Sequence, residues 1–413
     1  MKKNKIILII IIAVLLRIFL MLFTYHPDLS GQSLVGYFFG TKNVFNIYDY
    51  LINLPKTHPL VKNFGVNDIF IYPPLTYFTL GFFQKLLSIF NIKSYIELIM
   101  NGVNIYTIKN ISLFLFLIKL PYLVIDLLAA KYLSLIFDDK KKQQLVYILW
   151  LFNPVTLYAT FCMGVFDIIP VFFTILSIYF LKKNKYLSSA LMLGFGAAFK
   201  TYPIFFLPFI IFAAAKTFWP RTKIAIIGLL PIILTNLPFI TSSAYRYMVF
   251  SPKSQKMLFM EWMITGAEGL FPFLIAYTII VLFTHNIKKA NIDLYKYYLV
   301  FFFLLFSVTH YHPQWFLWIT PFILLHLVDT NLKYLWHYLV MFFIYVFIVL
   351  CFENSLSVGL FAILNPSLNN FPGIGTFIAS KTNISILKSQ FRSIFAGIAI
   401  FLTYEISKTQ KTN

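Results

Sequence analysis

Residues able to do chemistry are scarce in this chain and fall into four short clusters. Acidic residues number only 14 in 413. One of them, Asp28, lies in His26-Pro27-Asp28-Leu29-Ser30-Gly31-Gln32, where the first apolar run ends. A second cluster is Phe70-Ile71-Tyr72-Pro73-Pro74-Leu75. The third joins Cys162-Met163-Gly164-Val165-Phe166-Asp167 to Lys200-Thr201-Tyr202-Pro203, and the fourth is His310-Tyr311-His312-Pro313-Gln314-Trp315. A carboxylate such as Asp28 can take the proton of a hydroxyl it can reach. Lys200 can hold a phosphate or diphosphate, as can Arg17 if it lies near the outer interface. His310 and His312 can do the same or bind a metal, although two His at i and i+2 point apart in a helix. Tyr202, Trp315 and Trp318 offer ring faces for a sugar or an isoprenoid. No Gly-rich phosphate cradle, Ser-His-Asp order or zinc motif is present, so nucleotide chemistry has no support.

The elements that must position these clusters are membrane helices. Residues of the AVILMFWYC set make up 60% and charged residues 12%, against about a quarter charged in soluble domains. Aromatics are heavy, with 49 Phe, 26 Tyr and 6 Trp. The net charge of +20 would suggest nucleic acid on a soluble chain, but here it must first be placed relative to a bilayer. Cys162 and Cys351, the two cysteines, give neither a disulfide framework nor metal spacing. Residues 6–25 read as an uncleaved first helix, too long for a signal peptide. Further apolar stretches are 111–137, 144–161, 168–181, 186–200, 203–218, 224–240, 269–284, 297–309, 315–328, 338–352 and 391–406. The reading is an all-α polytopic membrane bundle of about twelve spans, given the roughly 20 residues needed per crossing. Asn153-Pro154, Pro203, Pro231 and Pro313 are expected to stop helices.

Every second short connection is basic: Lys140-Lys141-Lys142, Lys182-Lys183-Asn184-Lys185, Lys216 to Lys223, Lys288-Lys289 and the Lys408/Lys411 tail. With Lys2, Lys3 and Lys5 they fall on one side if both termini are cytoplasmic. Three long segments then face outward: 26–110, 241–268 and 353–390. The expected organisation is one membrane-embedded domain over 1–413, its first outer loop 26–110 holding Asp28 and an interfacial helix from Pro73 to Phe90. The outer loop 353–390 has no assigned role. Within the spans, Lys119 and Asp126 share one helical face at i and i+7, which suits either a structural ion pair or a functional role.

In order, these motifs resemble the GT-C superfamily of membrane glycosyltransferases, and within it the GPI mannosyltransferase I type and its bacterial multi-span relatives. The motifs run over roughly residues 10–325 and are Asp28-Leu29-Ser30, Tyr72-Pro73-Pro74-Leu75, Lys119 to Leu127 with Asp126, Leu149-Trp150-Leu151-Phe152-Asn153-Pro154, Gly164-Val165-Phe166-Asp167, Lys200-Thr201-Tyr202-Pro203-Ile204 and Gln314-Trp315-Phe316-Leu317-Trp318. The resemblance implies a hexosyltransferase, a mannosyltransferase first, in the plasma membrane. It would move a sugar from a polyprenyl-phosphate donor to the hydroxyl of a glycan, glycolipid or protein acceptor, with inversion. Asp28 would be the catalytic base. Arg17, Lys200, His310 and His312 would hold phosphate, while Tyr72, Asp167, Tyr202 and Gln314 would shape the substrate site. That type carries an Asp-x-Asp pair where this chain has Asp28-Leu29-Ser30, so a divalent metal stays an open option, with Asp49 the nearest substitute carboxylate. No other cofactor is expected. The alternatives are a multi-span transporter or flippase of lipid-linked sugars, which would show repeat symmetry and midplane sites, and a polysaccharide polymerase.

Overall fold

Backbone polar groups in hydrocarbon must be satisfied within their own segment, so long apolar runs become helices. The computed structural model describes residues 3–65, 69–250, 260–285, 287, 293–309 and 312–411, and is all-α apart from one small hairpin among those residues. In that hairpin Trp262–Met263 pairs antiparallel with Gly269–Leu270. Each apolar stretch read from the sequence contains a helix, but 269–284 begins in the hairpin strand Gly269–Leu270, its helix starting at Pro272, and 144–161 and 203–218 are each interrupted. Five helical stretches are long and apolar enough to cross a membrane: Asn4–Phe23, Ile111–Ser134, Lys140–Cys162, Phe218–Phe239 and Ile384–Lys408. Six more apolar helices of 10–17 residues are Ile168–Lys182, Tyr186–Phe199, Tyr202–Ala214, Pro272–His285, Leu294–Val308 and Leu335–Leu350. Lys288, Lys289 and His310 lie outside the described residues.

Prolines place several helix starts. Pro27, Pro74 and Pro154 sit at first helical positions, where the missing N–H costs nothing. Asn153 caps the last of these through its side-chain oxygen, which accepts from Val155 N (2.9 Å) and Thr156 N (3.1 Å). Pro231 does not stop its helix as the sequence suggested. It lies inside Phe218–Asn236, which begins well before the expected 224. Across the interface a Cβ on Gly194 would stand 2.2 Å from Gly228 O and 2.8 Å from Pro231 Cδ, so the two helices meet at backbone distance.

The segment from Pro73 folds as a helix, Pro74–Leu86, followed by a 3₁₀ turn to Phe90. It packs against the Pro27–Gly40 helix that carries Asp28. Here too the contact is backbone to backbone, since a Cβ on Gly40 would fall 2.4 Å from Gly81 O. Thr76 then donates to Phe199 O (3.0 Å), fixing this pair to the end of Tyr186–Phe199, immediately before Lys200. Beyond Leu151 the Lys140 helix breaks at Phe152, resumes at Pro154 and ends in a π-helical turn, Leu157–Cys162. Such turns leave carbonyls off the regular ladder, and the one at Phe161 is used by its neighbours.

Candidate functional site

Asp28 occupies the first turn of Pro27–Gly40, its side chain 45% exposed. Buried His26 caps that helix: Asp28 N donates to its Nδ1 (3.2 Å), and Asp28 Oδ2 stands 3.6 Å from the same nitrogen. Burial lowers the His26 pKa, opposed by the charges of Asp28 and Glu353. Tyr25 Oη shares a hydrogen bond with Ser30 Oγ (2.8 Å), and burial pushes this phenol up to about 12.

A second assembly is built from two helix boundaries. Lys200, in extended conformation, ends Tyr186–Phe199; Asp167 precedes Ile168–Lys182. Lys200 Nζ donates to both carboxylate oxygens of Asp167, at 2.7 and 2.8 Å, and both residues are buried. Trp318 Nε1 donates to Asp167 Oδ1 (2.6 Å). The ammonium also lies 5.0 Å from the ring centre of Tyr72, 5.1 Å from Phe166 and 5.2 Å from Trp318. Three π faces and one carboxylate thus surround a single cation. Tyr202 stacks on Trp318 (4.4 Å, 14°), Trp318 on Trp315 (4.8 Å, 18°), and exposed His312 meets Trp315 edge-on. Gln314 is buried in the Pro313–Trp315 turn between them.

Tyr72 joins the two assemblies. Its carbonyl accepts from Tyr48 Oη (2.6 Å), and its ring packs edge-on against Phe166 (4.8 Å). Burial raises the Tyr72 pKa, and the charges of Asp167 and Asp28 raise it further, so both carboxylates act on one phenol. The structure therefore brings Tyr72, Asp167, Lys200, Tyr202, His312 and Gln314 together, with Asp28 alongside.

Arg17 is not among them. Its Nε donates to Asp126 Oδ2 (2.8 Å), and its NH1 donates to Ala13 O and Leu151 O. Trp150 Nε1 takes the other oxygen of Asp126 (2.9 Å), and both charges are fully buried. The ion pair considered between Lys119 and Asp126 is therefore formed by Arg17 instead. Lys119, equally buried, donates to Thr24 O (2.7 Å), Thr24 Oγ1 (3.2 Å) and Phe161 O (2.8 Å). It ties the end of the first helix to the π-helical turn, whose Phe161 carbonyl also accepts from Thr24 Oγ1. Gly164, with φ of +72°, makes room for it: a Cβ there would be 2.7 Å from Lys119 Cε. Asp49 is engaged elsewhere, accepting from Asn46 Nδ2 and from Ser242 Oγ, each at 2.6 Å. Among the described residues no group of three or more His, Cys, Asp or Glu is placed to hold a metal.

Sequence reasoning missed the segment 353–390 as a neighbour of Tyr25 and Tyr158. Tyr25 N donates to Leu360 O (2.9 Å) and Tyr158 Oη to Leu356 O (2.8 Å). Leu356 and Leu360 complete a small apolar cluster with Leu20, Met21, Met163 and Val165. No motif announces this contact, because it rests on backbone carbonyls and leucines. Trp150 and Trp318 were legible as aromatics but not as the donors that orient Asp126 and Asp167.

Fold and site define an α-helical membrane protein with a buried, aromatic-walled ion pair beside an exposed carboxylate. Compared with protein-family models, curated proteins and solved structures, the chain matches none.

Proposed function

We propose that this chain is a membrane glycosyltransferase, a mannosyltransferase first, that moves a sugar from a polyprenyl-phosphate donor to an acceptor hydroxyl at the outer face. The observation that carries the reading is Asp28: an exposed carboxylate on the first turn of a helix capped by the buried His26, its charge reaching Tyr72 in the aromatic wall of the Lys200–Asp167 pair. In the proposed step Asp28 takes the acceptor proton as the acceptor oxygen bonds to the anomeric carbon. The bond from that carbon to the phosphate oxygen breaks on the opposite face, and polyprenyl phosphate leaves with inversion. Lys200, His310 and His312 hold the phosphate. Tyr72, Asp167, Tyr202 and Gln314 shape the sugar site, with Tyr202, Trp315 and Trp318 as stacking faces. Arg17, committed to Asp126, is assigned to bracing the bundle. About twelve spans with both termini cytoplasmic, in the plasma membrane, complete the proposal. A divalent metal remains an optional part of it.

The second reading is a transporter or flippase of lipid-linked sugars. What favours it is the fully buried Arg17–Asp126 pair, since charges at bilayer depth mark ion and substrate paths. Incubating the reconstituted protein with a panel of polyprenyl-phosphate sugars separates the two. Release of free polyprenyl phosphate with sugar transfer supports the transferase; movement of intact donor between leaflets without release supports the flippase.

A further inference from the structure

The helix that carries Asp28 meets two others at a small polar crevice one turn further along. Asp28 and Gln32 stand at i and i+4 on Pro27–Gly40 and share a face. Gln84 approaches from Pro74–Leu86, and its Nε2 donates to Ser33 O (2.9 Å). Gly36 admits it, since a Cβ there would fall 2.5 Å from Gln84 Nε2. The bond to Ser33 fixes which way the Gln84 amide points, and leaves its Oε1 buried with no partner among the described residues. Gln32 Oε1 is buried and without such a partner as well. The two residues are 6% and 5% exposed, and both line the crevice together with Tyr122 of Ile111–Ser134.

A buried acceptor left unpaired is costly, and two acceptors facing one space cannot satisfy each other. Whatever serves them both must donate twice. The crevice has a volume of about 10 Å³, the lower limit for one water and too small for a ligand with a chain. A hydroxyl group brings a single proton and so serves one oxygen only. A hard metal cation would want about six oxygen ligands, and no carboxylate lines the crevice to balance its charge. Water is neutral, fits the space and has two protons. Tyr122 adds a phenol able to donate to the water's oxygen, which would bring its bonds to the three typical of a buried water.

We propose that this crevice is a binding site for one structural water, which donates to Gln32 Oε1 and to Gln84 Oε1 and so ties the helix carrying Asp28 to Pro74–Leu86, with Tyr122 of Ile111–Ser134 at its third side. The water belongs to the fold and is independent of the transfer chemistry proposed above.

A density map of the full chain, at a resolution that shows ordered waters, tests this directly. One peak is expected within about 3.2 Å of both Gln32 Oε1 and Gln84 Oε1. Thermal unfolding of the detergent-purified protein gives a second measurement, through its sign. Gln32→Met keeps the volume of the side chain and breaks no hydrogen bond between described residues. With the water bound, the variant removes one of its acceptors, and the midpoint should fall by about 1–2 °C in a chain of this length. With a bare Gln32 Oε1, an apolar replacement would relieve the buried acceptor, and the midpoint would hold or rise. An empty crevice, a direct hydrogen bond from Gln32 Nε2 to Gln84 Oε1, or a Gln32→Met midpoint no lower than that of the wild type would overturn the proposal. The wild-type map decides alone if that variant fails to fold.

Discussion

Lys200 and Asp167, 33 residues apart in sequence, form a two-pronged buried ion pair at 2.7 and 2.8 Å, with Trp318 donating to the same carboxylate. Each partner ends or begins a helix, so the pair welds the turn after Tyr186–Phe199 to the start of Ile168–Lys182. Its aromatic walls exclude water, which strengthens the attraction and makes either charge expensive to leave alone.

Removing both partners should therefore cost less than the two single losses combined. Lys200→Met or Asp167→Asn is expected to destabilise by about 3–5 kcal/mol, and the double variant by clearly less than the sum. Thermal unfolding of the detergent-purified proteins, arranged as a double-mutant cycle, checks this. Additive losses would mean that the two groups act separately.

The same logic applies deeper, at Arg17 and Asp126, 109 residues apart and fully buried. Arg17→Met strands a carboxylate that only Trp150 still serves, and should lower the yield of folded protein along with its unfolding midpoint. Arg17→Met combined with Asp126→Leu should recover much of that loss. The readout is the monodisperse fraction after solubilisation.

Gly164→Ala tests the packing around Lys119. Its φ of +72° is costly for any residue with a Cβ, and that Cβ would press on Lys119 Cε at 2.7 Å. A loss of about 1–3 kcal/mol is expected. Shortening the neighbour in a Gly164→Ala/Lys119→Ala protein relieves the clash but not the φ strain, so the two contributions separate in an unfolding series.

Much of the architecture was legible because apolar length alone specifies a helix in a membrane-type sequence. Each apolar stretch contains a helix, and one helix ends at Leu151, close to Asn153-Pro154, where a stop was expected, although Pro154 then starts the next. Pro231 was misread because a proline in a long apolar run can be carried inside a helix, as Pro121 and Pro321 are too. At the site, residue types pointed to Tyr72, Asp167, Lys200, Tyr202 and Gln314, which the fold does gather. Pairing was not legible. Lys119 and Asp126 share a face, yet helix rotation gives Asp126 to Arg17 and Lys119 to backbone carbonyls. The approach of Leu356 and Leu360 to Tyr158 and Tyr25 has no sequence signature at all, since main-chain oxygens make the contact.

His26 gives the outer cluster a pH dependence. Its folded-state pKa lies below the ordinary value of about 6.5, because burial disfavours the charged ring. The unfolded chain then binds more protons than the folded one between those two values, so stability rises with pH there. The contribution is fully present above about pH 6.5 and is lost as pH falls towards the lower folded value. Unfolding midpoints across pH 4–8 should show this slope in the native protein and a smaller one in His26→Asn, where the neutral amide retains a cap. Identical profiles would remove His26 as the source.

Asp28 carries the functional account, and one substitution tests it most directly. Reconstituted wild-type protein, given the polyprenyl-phosphate sugar and acceptor that it uses, should release polyprenyl phosphate in step with sugar transfer. Asp28→Asn should reduce that turnover by about 10²–10⁴-fold while its unfolding midpoint stays near that of the wild type, because the side chain is half exposed and makes one long contact to His26. Turnover by Asp28→Asn close to the wild-type rate would contradict the account.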